Sequence, residues 1–112
     1  MKKIAQEQHG GVTVLRPNGP LVGEDVGEFV DRLESVRSSS LGRMVVDFTT
    51  VPFVDSAGLE ALVDTSELMA DSGQPFRLSG VNATIREVLE LTELSSMFEH
   101  YENVNAAVRS FL

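Results

Sequence analysis

Residues 44–70, MVVDFTTVPFVDSAGLEALVDTSELMA, contain the two elements that decide the fold. Residues 44–48 form a nearly continuous apolar run, which is typical of a central strand covered on both faces of a sheet. Apolar side chains then recur at helical spacing and predict a helix that runs to Ala70 and closes at Gly73. Its predicted core-facing positions are Leu59, Leu62, Val63, Ser66 and Met69. A buried strand that leads into a helix favours an α/β fold.

The chain before this stretch predicts a hairpin and a first helix. Gly10 and Gly11 mark a turn between residues 4–8 and a β-branched run at residues 12–15. Glu24 and Asp25 then place negative charge where a helix N-terminus favours it. The apolar positions of this helix recur three and four residues apart, and they are Val26, Phe29, Val30, Leu33 and Val36. They predict one stripe facing the core, with the serine- and glycine-containing residues 38–42 ending the helix.

The chain after residue 70 predicts two more strands and two more helices. Residues 76–79 alternate as a strand, and residues 98–101 are short enough for an edge strand. A helix should begin at Asn82 or Ala83, with its apolar face formed by Ile85, Val88 and Leu89. Apolar steps of three and four predict a terminal helix that docks on the core through Val104, Ala107, Val108 and Phe111. The prediction is therefore one domain over residues 1–112, with a mixed sheet of four to five strands and about four helices.

Composition narrows the possible partners. The 112 residues carry a formal net charge of -8, and no basic stripe is present that could neutralise phosphates, so direct nucleic-acid binding is not expected. No apolar run approaches a membrane-spanning length, and polar residues 6–9 stand where a secretion signal would need apolar ones. The absence of cysteine is compatible with a reducing compartment. We expect a cytoplasmic protein that does not insert into membranes.

Neither a catalytic site nor a cofactor site is predicted. His9 and His100 lie far apart in the chain without other ligands nearby, so we expect no metal site. The sequence has no glycine-rich phosphate loop followed by Lys and Ser or Thr, and no pair of groups at catalytic spacing. We therefore expect the chain to be a substrate of other enzymes and not an enzyme itself.

Ser56 is the candidate functional residue, because it places a hydroxyl where a strand segment leads into a helix. A serine near a helix N-cap can accept hydrogen bonds from unpaired backbone N–H groups, and most serines in such places serve only as caps. A phosphate there would meet the positive end of the helix dipole while adding about -1.5 to -2 charge beside Asp55. Gly58 would let a partner approach closely, or it would only relieve local packing.

The segments VVDF at residues 45–48 and VDSAGL at residues 54–59 resemble the strand and Asp-Ser-x-Gly-Leu motif of STAS domains. The resemblance continues through VLELTEL at residues 88–94 and covers nearly the whole chain. It implies a STAS fold and the function of a single-domain anti-sigma factor antagonist. Such a protein binds an anti-sigma factor serine kinase when unmodified and releases it when phosphorylated, and a phosphatase reverses the modification.

Carried over residue by residue, the resemblance makes Ser56 the phosphate acceptor. It implies a partner-binding surface formed by Asp55, Ser56, Ala57, Gly58 and Leu59. Two positions depart from the family pattern: Val22 stands at a turn position that is often acidic, and Glu93 stands where glycine is common. Two alternatives stay open, a constitutive adaptor within a signalling or lipid-transport assembly, and a module that binds a nucleotide or another small ligand.

Overall fold

The computed structural model describes residues 4–112. Its strands are β1 (Ile4–His9), β2 (Val12–Pro17), β3 (Met44–Asp47), β4 (Phe76–Ser79) and β5 (Phe98–Tyr101). Its α-helices are α1 (Asp25–Ser39), α2 (Ser56–Asp71), α3 (Ala83–Leu91) and α4 (Val104–Arg109), and a single 3₁₀ turn, Ser95–Met97, precedes β5. The predicted α/β class, the hairpin and the order of the elements are confirmed.

The five strands form one mixed sheet in the order β1-β2-β3-β4-β5. The first pair is antiparallel, and each later pair is parallel. The central position of β3 confirms the prediction made from its apolar run, since all four of its residues are buried. Because β2 and β3 are parallel, the loops that follow them meet at the same edge of the sheet.

Helices cover the two faces of the sheet unequally. One face presents Leu15, Val46 and Leu78 to the main core, which α1, α2 and α3 complete. The other face presents Val14 and Val45 to a smaller cluster that includes Ala107 of α4. The terminal helix therefore docks on the sheet as predicted, although Phe111 lies beyond its last residue and packs under the Arg77 guanidinium, 3.8 Å from the ring centroid.

Two predicted apolar stripes need correction. In α1, Val30 is 37% exposed, because it lies at the edge of the stripe centred on Phe29 and Leu33. In α2, the small residues Ala61 and Thr65 are buried, whereas the predicted Leu59 and Val63 are only half-buried. Close packing of this helix selects small side chains, which a pattern weighted by hydrophobicity underrates. With Ala61 and Thr65 facing the core, the polar side of α2 faces outward beside α1.

Glu93 stands where glycine is common in the family, and its backbone adopts a conformation that glycine favours. Glu93 adopts a left-handed φ of 59° just after α3 ends. Its N–H donates to the carbonyl of Glu90 at 3.1 Å, and the next N–H, of Leu94, donates to Leu89 at 2.8 Å. This pair of bonds is a Schellman motif, in which the left-handed position favours glycine because a Cβ is strained there.

Candidate functional site

The candidate site is built on two loops that run side by side from the carboxyl ends of β2 and β3. The N–H of Gly19 donates to the carbonyl of Thr50 at 3.1 Å, and that of Leu21 donates to Phe53 at 3.2 Å. In return, the N–H of Asp55 donates to the carbonyl of Leu21 at 3.2 Å. These bonds continue the β2–β3 pairing beyond the strands. The start of α2 is therefore held on a fixed frame.

Asp55 joins both loops through its carboxylate. Its Oδ1 accepts from the Gly58 N–H and its Oδ2 from the Gly23 N–H, each at 2.9 Å. Hydrogen bonds from these two backbone groups, that of Gly58 first, lower the pKa of Asp55. The structure thus makes Asp55 the N-cap of α2 and places Ser56 as the first helical residue, so the capping role that the sequence left open for Ser56 belongs to its neighbour.

Gly58 is buried where α2 passes the loop after β2. A Cβ built at Gly58 would lie 2.6 Å from the carbonyl oxygen of Leu21 and 3.3 Å from the Cβ of Val54. No side chain fits at the first of these distances without a shift of the backbone. The sequence left two roles open for Gly58, the close approach of a partner and the relief of internal packing. The short distances to Leu21 and Val54 account for the second role.

Ser56 and Ala57 are exposed at the first turn of α2. Within residues 4–112, no hydrogen bond is formed by the Ser56 hydroxyl, since Asp55 supplies the cap. Phe53, three residues earlier, leaves 49% of its surface exposed, and Leu59 is half-buried against the core. The five residues predicted to bind a partner thus divide in two: Ser56 and Ala57 face outward, while Asp55, Gly58 and Leu59 hold the turn in place.

Asp47, the last residue of β3, anchors the loop that follows this strand. It was not singled out from the sequence. Its buried carboxylate accepts from the Arg16 Nε at 2.7 Å and from the Thr49 hydroxyl at 2.6 Å. Burial raises the pKa of Asp47, but hydrogen bonds from Thr49 and Arg16 outweigh it, and the pKa lies below its usual range. Arg16 also binds Glu7 at 2.9 Å. The sequence feature that could have indicated this role is an acidic residue at the end of an apolar strand, shortly before two threonines.

The part of the chain that the structure describes holds no cluster of three or more His, Cys, Asp and Glu side chains suited to a metal ion. His9 contacts Glu7, and His100 contacts the carbonyl of Ser95, so the two histidines are not brought together. Over the same residues, no helix is both long and apolar enough to cross a membrane.

Known proteins resemble the chain in sequence and in fold. The family model of the STAS domain matches residues 3–107. An anti-sigma F factor antagonist of Paenibacillus polymyxa is 26% identical over 108 residues, which are 93% of this chain and 91% of that protein. An anti-sigma factor antagonist of Mycobacterium paratuberculosis superposes with a TM-score of 0.83 at 24% identity, over 96% of this chain and 92% of that one. A Thermotoga maritima protein superposes with a TM-score of 0.87 at 22% identity, over 96% of this chain and 92% of that one.

Proposed function

We propose that this chain, which belongs to the STAS domain family, is an anti-sigma factor antagonist controlled by phosphorylation of Ser56. With a free hydroxyl at Ser56, it binds an anti-sigma factor that is also a serine kinase, and so frees a sigma factor for transcription. Phosphorylation by that kinase releases the partner, and a phosphatase restores the binding form. The curated relative in Paenibacillus polymyxa, named for antagonism of an anti-sigma factor, supports the class of partner.

The observation that carries the proposal is the separation of Ser56 from the hydrogen bonds that hold the turn. Asp55 caps α2 and binds the neighbouring loop, whereas the Ser56 side chain is exposed. A kinase can therefore reach the hydroxyl without unfolding the helix. A phosphate added there would lie at the positive end of the α2 dipole, so the helix can accept the charge.

Release follows from the surroundings of Ser56. The exposed Phe53 and Ala57 give the partner an apolar contact beside a small neutral hydroxyl. A phosphate would bring about -1.5 to -2 charge into this contact, and burying it without a paired cation costs several kcal/mol. The modification thus weakens binding through local desolvation and charge, while the fold of the domain stays the same.

The test uses the candidate kinase with ATP, locates phosphate by mass spectrometry, and measures binding of the kinase by calorimetry. Wild type and Ser56→Ala should bind alike, and Ser56→Asp should bind about tenfold more weakly or worse. Ser96→Asp is a matched control, because it adds the same charge at an exposed serine before β5, at the opposite edge of the sheet. Equal binding by all four proteins, with no phosphate on Ser56, would refute the switch.

The two alternatives give different results in the same experiments. A constitutive adaptor should bind its partner equally whether residue 56 is serine, alanine or aspartate. A module for a nucleotide or lipid should show saturable thermal stabilisation by that ligand, because a ligand that binds only the native state raises its stability with concentration.

A further inference from the structure

A groove runs between α1 and α2 and begins beside Ser56. Two hollows form it, of about 240 and 70 Å³, and they share Val30, Ala61 and Asp64, so the groove is continuous. Val30 is 37% exposed, and Leu68 of α2 is 46% exposed farther along. Within the described residues, no other side chain covers the exposed part of Val30 or Leu68, although apolar surface is stabilised when it is removed from water.

Helix α2 carries an acidic stripe, of which Glu60 and Asp64 line the groove, while Arg37 of α1, which also lines it, pairs with Glu34 at 3.3 Å. The carboxylates of this stripe recur three and four residues apart, on one side of the helix, at Glu60, Asp64, Glu67 and Asp71. The helix has no lysine or arginine, and among residues 4–112 these four carboxylates form no ion pair. Like charges at this spacing destabilise a helix. A partner that neutralises them would remove that cost.

We propose that the α1–α2 groove binds a cationic amphipathic helix of the anti-sigma factor, whose apolar side covers Val30 and Leu68 while its lysines or arginines face the α2 carboxylates. This inference rests on the proposed function for the identity of the partner. The choice of occupant rests on charge complementarity and on continuity, because Ala57 lines the groove and lies next to Ser56. A helix fits because side chains at i, i+3 and i+4 fill such a groove from one face.

The groove and Ser56 then have separate tasks. The groove supplies attraction that does not depend on the phosphate, and Ser56 controls the close apolar contact at the helix start. Ser56 precedes Glu60 by one helical turn, so a charge at residue 56 extends the acidic stripe. Binding of a cationic helix in the groove should therefore stay equal or tighten slightly in Ser56→Asp, although the whole kinase binds that variant more weakly.

The experiment uses two synthetic helical peptides as probes, one with leucines on one face and lysines on the other, and one with glutamates in place of the lysines. Binding is mapped by amide chemical shifts on the ¹⁵N-labelled domain. Leu68→Arg should weaken the binding of the lysine peptide to the domain about tenfold. Leu91→Arg is the matched control, since Leu91 is 77% exposed on α3, away from the groove.

A second pair of variants separates location from overall charge. Glu60→Lys with Asp64→Lys should abolish binding of the lysine peptide, whereas Glu87→Lys with Glu90→Lys makes the same change in net charge on α3 and should retain most of it. Shifts confined to α1 and α2, absent with the glutamate peptide, support the groove. Shifts spread over the acidic surface, or equal losses in both pairs, overturn it.

Binding of the kinase itself distinguishes the groove proposal from the phosphorylation switch. A kinase that responds to Ser56→Asp but binds Leu68→Arg as tightly as wild type overturns the groove and leaves the switch intact. A lysine peptide that maps to the groove, with a kinase indifferent to residue 56, supports the groove as a docking surface and overturns the switch. Thermal unfolding of each variant confirms that it is folded before binding is compared.

Discussion

Replacing Gly58 with alanine tests the frame on which the site is built. The added Cβ would lie 2.6 Å from the Leu21 carbonyl oxygen, which is backbone and cannot move by rotating a side chain. Either α2 or the loop after β2 must shift. That shift would also stretch the two 2.9 Å bonds by which Asp55 holds Gly23 and Gly58.

The magnitude follows from two opposing effects. Overpacking of this kind costs about 1–3 kcal/mol, while alanine gains up to about 1 kcal/mol over glycine in a helix. We therefore expect Gly58→Ala to lower the free energy of unfolding by about 1–2 kcal/mol. For a chain of 112 residues, each kcal/mol corresponds to a change of about 4 °C in Tm. The expected fall in Tm is about 4–8 °C.

Gly27→Ala is the control for this measurement. Gly27 is also helical, but a Cβ built there meets nothing within 4 Å. Alanine at residue 27 should raise the free energy of unfolding by about 0.5–1 kcal/mol. Urea titrations and thermal melts of both variants give the comparison. A Gly58→Ala protein that melts at or above the wild-type temperature, as Gly27→Ala should, would refute the close approach of α2 to Leu21.

Four further predictions concern the acids and the left-handed position. Asp55→Ala should lower the urea midpoint, because two backbone N–H groups lose their acceptor. Asp47→Asn should lower the free energy of unfolding, measured in urea at pH 7, by about 2 kcal/mol, because Arg16 loses its buried anionic partner. The pKa values of Asp47 and Asp55 are both lowered in the folded chain. As the pH falls, the unfolded chain therefore binds protons at these carboxylates before the folded chain does. Stability should therefore be level above about pH 4 and fall below it, less steeply in Asp55→Ala; a flat profile to pH 3 would contradict this. Glu93→Gly should raise Tm by about 4 °C by removing left-handed strain, and an unchanged Tm would count against that strain.

The sequence predicted the elements well because their signals are local. The apolar run of β3 and the spacing of Phe29 and Leu33 in α1 depend only on neighbouring residues, and both hold in the structure. The face of α2 was harder to predict, since Ala61 and Thr65 are buried for their small size. Hydrophobic spacing does not measure how closely a helix approaches its neighbours.

The roles of adjacent residues in the site could not be predicted in the same way. Aspartate and serine are both good N-caps, so spacing alone did not decide between Asp55 and Ser56. The choice depends on Gly23, which lies 32 residues earlier in the chain and donates to the second carboxylate oxygen of Asp55. Similarly, the link from Asp47 to Arg16 spans 31 residues. Contacts of this range appear only once the sheet has brought the loops together.

The division of work between Asp55 and Ser56 explains how one turn can serve both folding and regulation. A serine that capped α2 would exchange its hydroxyl acceptor for charged phosphate oxygens on phosphorylation, and the modification would then alter the stability of the helix as well as the partner contact. Here Asp55 already satisfies the Gly58 N–H, and Gly58 lets α2 pass close to Leu21. The neighbouring hydroxyl carries none of these constraints, so its charge can change while the surface around it keeps its shape.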